Sequence, residues 1–202
     1  MIIGFYLIII LILGYLSVYL RERYLDLKWL RPLTWLGIFL HEFWHAFFCL
    51  LTGGRVTGFR VTARAGQVTH YKPTLPIVGP MLTAIGPLVG GLFIIGLINN
   101  FWLQDILVIT SGNFWLTFLN FIRSFNFLTW QTWLLLAICL NVGVMVGPSL
   151  ADLKSIWPLV ILSFLITSWQ VAQILALVIA MVTLNIVLFL IILIIKTMIR
   201  KL

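Results

Sequence analysis

The sequence predicts an all-α, polytopic membrane protein of about six transmembrane helices, with a small β-hairpin at the membrane surface after the second helix. Three observations carry that expectation. Of 202 residues, 62% are hydrophobic and 9% charged, against roughly 45–50% and 25% in a soluble domain. Apolar runs long enough to cross a hydrocarbon layer of roughly 30 Å recur along the chain. One short stretch between them switches to Val, Thr and Gly with four basic residues. Too few polar groups remain to coat a water-soluble globule, so lipid must solvate much of the chain. The net charge of +8 comes from Lys and Arg scattered at the flanks of apolar runs. It forms no stripe, so it fits an anionic leaflet and excludes a nucleic-acid partner.

Residues 1–20 carry no charge and end at Arg21-Glu22-Arg23, which predicts a retained first span rather than a cleaved leader. A charged connector follows to Pro32, and residues 33–51 form a second apolar run containing His41, Glu42 and His45. Residues 55–71 predict the hairpin, with two β-favouring stretches about a turn near Ala65-Gly66. Arg55, Arg60, Arg64 and Lys72 place it against headgroups. Residues 75–97 are a third span rich in small residues, with Gly86 and Gly90 in a GxxxG spacing that lets helices approach closely. Residues 99–130, where Asp105 and Arg123 lie among aromatics, suit interfacial helices and a loop. Residues 132–146 are a fourth span that runs into Gly147-Pro148, and the uncharged stretch 156–195 has the length of two spans with a turn near Ser168 to Gln173. The whole chain, 1–202, is one integral-membrane domain whose catalytic core would span 33–155. Its basic hairpin and C-terminus point to cytosolic termini.

His41-Glu42-Phe43-Trp44-His45 is HExxH. On a helix, residues four apart share a face about 6 Å apart along the axis, so both imidazoles can converge on one metal with Glu42 beside it. Composition alone would produce this pattern about 4 times in 10,000 such chains. Two His and a Glu within a span are costly unless paired or metal-bound. A catalytic zinc needs a third protein ligand and an open position for water. Glu42 is too close to its histidines to be ligand and base at once, Glu22 and Asp26 lie in the connector, and Asp105 lies in the aromatic segment. Asp152 remains, just after the Gly147-Pro148 interruption, where irregular backbone at depth lines a cavity. Its plainer role is an interfacial cap paired with Lys154. Cys49, about 12 Å along the helix from His41, is too far to share one ion, and His70 suits the exposed surface of the hairpin. Both cysteines, Cys49 and Cys139, lack a CxxC partner and fit the apolar core.

With these residues in view, the chain resembles the site-2 protease family of intramembrane zinc metalloproteases. HExxH in an apolar helix, a basic β-rich loop, Ala84-Ile85-Gly86-Pro87-Leu88 in the next span and a late aspartate occur in the family's order. The resemblance implies Zn2+ held by His41, His45 and Asp152, Glu42 as general base, and Asn141 as a substrate-orienting group. The family's second motif, NxxPxPxLDG, is altered here: Asn141 precedes Asp152 by 11 residues instead of eight, and Leu153 replaces the glycine. The expected function is zinc-dependent hydrolysis of a peptide bond in or near a transmembrane segment of a protein substrate. The hairpin edge is expected to receive that substrate as an added strand. An inactive membrane scaffold and a metal transporter using the same His/Glu cluster are the alternatives.

Overall fold

The computed structural model describes residues 2–25, 27–71, 73–101 and 114–199. Among them run, in order, α1 (Ile2–Tyr24), α2 (Leu30–Leu51), β1 (Val56–Val61), β2 (Gly66–His70), α3 (Val78–Phe101), α4 (Phe114–Arg123), α5 (Trp130–Val146), α6 (Leu150–Ser163) and α7 (Trp169–Ile199). Asp26, Lys72, Asp105, Arg200 and Lys201 lie outside the described residues.

α1, α2, α3 and α7 are long and apolar enough to cross a membrane, and the molecule is a multi-pass membrane protein. Among the described residues the expected six spans become four, or five if α5 and α6 together count as one. The difference arises after Val146. α5 stops at Gly147-Pro148, where the missing proline N–H and the extended backbone of Gly147 end the helical ladder, and α6 leaves at 84° to it. The uncharged run 156–195 is divided at 164–168, not near 168–173, into the 14-residue α6 and the 31-residue α7. Ser168, Gln170 and Gln173 form the polar dip at which the sequence places the turn, but α7 begins inside that dip, at Trp169, so the break falls a few residues earlier.

α7 is the axis of the bundle. Residues from Leu175 to Val182 are buried all round, as expected of a helix with no polar face. α1 lays Ile3, Leu7, Ile10, Gly14 and Ser17 along one buried side at helical spacing. A buried polar clamp joins three helices: Ser17 Oγ donates to Asn185 Oδ1 at 2.5 Å, and Asn185 Nδ2 donates to the Leu140 carbonyl at 3.1 Å. With water excluded, each such group needs a protein partner. α2 and α3 pack through the predicted small residues. A Cβ on Gly90 would collide with the Trp44 ring, and one on Gly86 would stand 2.9 Å from the Trp44 carbonyl oxygen.

The hairpin pairs β1 and β2 antiparallel, with Phe59 opposite Val68 and Val61 opposite Gly66. Its turn is closed by Thr62, whose backbone N–H and hydroxyl both donate to the Ala65 carbonyl, at 2.9 and 2.8 Å. The hairpin folds back along α2 instead of resting beyond its end. Phe59 meets Phe39 edge-on at 6.0 Å, Gly66 abuts Glu42, and the Arg64 carbonyl at the tip accepts from Arg21 Nη2 at 2.7 Å. Arg21 in turn reaches Thr34, near the start of α2. The basic residues Arg55 and Arg64 therefore sit toward opposite ends of α2 and do not form one surface patch.

Candidate metal centre

His41 and His45 are one turn apart on α2, and α6 brings Asp152 to them. His41 Nε2 and His45 Nε2 are 3.0 Å apart, while Asp152 Oδ1 lies 3.5 Å from His45 Nε2 and Oδ2 4.0 Å from His41 Nε2. All three offered ligand atoms fall within 4.8 Å of one another.

Backbone carbonyls orient both rings. His41 Nδ1 lies 3.0 Å from the Met145 carbonyl oxygen and His45 Nδ1 lies 2.8 Å from that of Thr83. A carbonyl only accepts, so each Nδ1 carries the proton, and in the neutral ring each Nε2 turns a lone pair inward. The Met145 carbonyl is free because it belongs to the last turn of α5, where helix carbonyls have no intrahelical donor. Two lone pairs at 3.0 Å beside a carboxylate repel unless a cation lies among them.

Asp152 owes its position to a capping box. Ser149 N–H donates to Asp152 Oδ2 at 2.8 Å, and Asp152 N–H donates to Ser149 Oγ at 3.2 Å. Asp152 is 8% exposed, and the cap holds its carboxylate toward the imidazoles. Lys154, the other expected partner, is exposed.

A tetrahedral zinc with bonds of about 2.0–2.2 Å separates its ligand atoms by roughly 3.3 Å, and the observed 3.0, 3.5 and 4.0 Å bracket that value. Two neutral imidazoles with fixed tautomers and one carboxylate form a donor set of catalytic zinc type. Thr83 Oγ1 is also buried and without a partner, although Thr83 lines the same cleft. The residues present thus fit a metal and leave a polar group beside it.

The cluster opens into a cleft of about 390 Å³ lined by His41, Glu42, His45, Thr83, Ser149 and Asp152 and by Gly66, Gln67, Val68 and His70 of β2. Glu42 stands at the hairpin side. A Cβ on Gly66 would overlap its side chain, and the Val68 amide faces its carboxylate. A smaller cavity of about 150 Å³ runs from His41 and Glu42 to Arg21 and Glu22.

Of the residues singled out from sequence, His41, Glu42, His45 and Asp152 come together. Asn141 does not line the cleft. Its Nδ2 donates to the Leu33 and Ala137 carbonyls at 2.8 Å each, and its Oδ1 accepts from Gly37 N–H at 2.6 Å, which joins α5 to α2. Cys49 and Cys139 are buried and free. His70, set aside as a surface residue, is exposed yet lines the cleft. Ser149, Thr83 and Gly66 escaped the sequence reading. Only Ser149 carried a local signal, the Ser-x-x-Asp spacing of a capping box.

The chain matches the family model described as Peptidase M50B-like over residues 5–177. No curated protein and no solved structure matches it.

Proposed function

This chain belongs to the peptidase M50B-like family, the site-2 protease family, and from that premise we propose that it is a zinc-dependent endopeptidase that hydrolyses a peptide bond in or near a transmembrane segment of a membrane protein. One observation carries the reading: the His41–His45–Asp152 cluster has Glu42 beside it, on a helix long and apolar enough to span the bilayer.

His41, His45 and Asp152 would hold the metal. The chemistry that zinc supplies when bound is Lewis acidity, which makes a water nucleophile available near neutral pH. Glu42, one residue from His41 and facing the cleft, takes the proton from the attacking water and returns it to the leaving amine. The cleft shields this transfer from the lipid.

A helical substrate hides its scissile carbonyl in a hydrogen bond, so it must be drawn out. β2 offers the means. Tyr71 N–H donates to the Arg55 carbonyl, which turns the alternate groups of Gly66, Val68 and His70 away from β1. Gly66, Val68 and His70 are also cleft-lining residues. An extended substrate added along that edge, taking the Val68 amide over from Glu42, would present its carbonyl beside Glu42. The basic residues near the C-terminus, with Lys196, Arg200 and Lys201, orient both termini to the cytosol in this reading.

The test is Glu42→Gln in the full chain. It should abolish cleavage of a co-expressed transmembrane reporter while zinc content stays at that of the wild type. Cleavage that survives the substitution rules out Glu42 as the base, and zinc uptake without any cleavage by the wild-type chain would favour a non-proteolytic scaffold.

A further inference from the structure

Pro87 interrupts α3 from within. In an α-helix the N–H of residue 87 would bond to the carbonyl of residue 83, and proline has no N–H to give. The Thr83 carbonyl is therefore left without its intrahelical donor, and it is the atom that His45 Nδ1 approaches at 2.8 Å. Gly86 supplies the second condition. A side chain there would press on the Trp44 carbonyl and the Phe48 ring, both on α2, so the glycine lets α2 come close enough for His45 to reach across. Gly86-Pro87 thus combines close approach with a released acceptor.

We infer that Pro87 is a positioning residue for the metal centre: by withholding a backbone N–H, it reserves the Thr83 carbonyl for His45 and holds that imidazole as the Nδ1–H tautomer with Nε2 toward the metal. The inference rests on the metal-centre reading above. An alanine at 87 would restore the helical donor. The Thr83 carbonyl would then be shared, the His45 ring would lose its tautomer preference, and metal affinity would fall. His41 takes its carbonyl from Met145 on α5 and serves as an internal control.

The experiment compares wild-type chain, Pro87→Ala, and a variant with lactic acid at 87, whose backbone ester has alanine's side chain but no N–H. In detergent-purified protein, zinc affinity is read by chelator competition, and imidazole 15N shifts in the metal-free protein report the tautomer of each histidine. Pro87→Ala should bind zinc about 10-fold more weakly or worse and lose the Nδ1–H signature at His45 but not at His41. The ester should keep both near wild type. Alanine with wild-type affinity and an unchanged His45 tautomer would overturn the inference, as would an ester variant impaired as much as alanine, since the proline ring would then matter and not the missing N–H. A wild-type chain that binds no zinc would refute the metal-centre reading, while the 15N shifts would still decide the link from Pro87 to His45.

Discussion

Ser149 and Asp152 cap each other: the Ser149 amide donates to the Asp152 carboxylate at 2.8 Å, and the Asp152 amide donates to the Ser149 hydroxyl at 3.2 Å. The residue that completes the His41–His45 cluster thereby also helps cap the first turn of its own helix. Removing the hydroxyl with Ser149→Ala should cost about 1 kcal/mol of stability and loosen the carboxylate, which lowers zinc affinity severalfold. Chelator competition beside thermal unfolding separates the two effects. Unchanged zinc affinity would show that packing, not the cap, orients Asp152.

Asp152→Ala should reduce bound zinc from about one per chain to a small fraction, measured by elemental analysis of detergent-purified protein. The two imidazoles alone leave the ion underliganded. Full zinc occupancy in this variant would require another third ligand, and His70, across the cleft, would be examined next.

Gly66 carries no side chain where one would overlap that of Glu42. Gly66→Val should push the hairpin or the carboxylate aside, at a cost of about 1–3 kcal/mol for overpacking. Cleavage of a transmembrane reporter should drop at least tenfold while zinc content stays constant, because no metal ligand is touched. Parallel loss of zinc would mean that the hairpin supports the whole cluster.

Asn141 spends its amide on Gly37, Leu33 and Ala137. Asn141→Leu should lower stability by about 1–3 kcal/mol by removing the amide that ties α5 to α2 at Gly37 and Leu33, read by denaturation in detergent. Residual folded protein should keep its KM for substrate. A raised KM with unchanged stability would instead restore the substrate-orienting role that the family resemblance implies.

The legible parts of this molecule are those coded at short range. HExxH needs only the rise and turn of one helix to bring His41 and His45 together, and small residues at 86 and 90 announce a close helix contact before its partner is known. The hairpin is visible as a switch to Val, Thr and Gly. Its course along α2 is not, because the contacts that lay it there, Phe59 on Phe39 and Gly66 on Glu42, join residues whose proximity no local pattern encodes. Asn141 meets the same limit: an amide within an apolar run signals a polar task, and its bonds to Gly37, Leu33 and Ala137 depend on which helix lies opposite.

The sequence by itself pointed to lipid as the solvent, to a histidine pair at metal-ligand spacing on a membrane-length helix, and to Asp152 as the carboxylate left to approach it. Composition, period and elimination suffice for these. Only the tertiary structure decided the number of spans, the 84° turn between α5 and α6, and the carbonyls that hold each imidazole. Those depend on backbone groups released where helices end or are interrupted, at Val146 and at Pro87. A released carbonyl acquires its role only when packing brings a donor within about 3 Å.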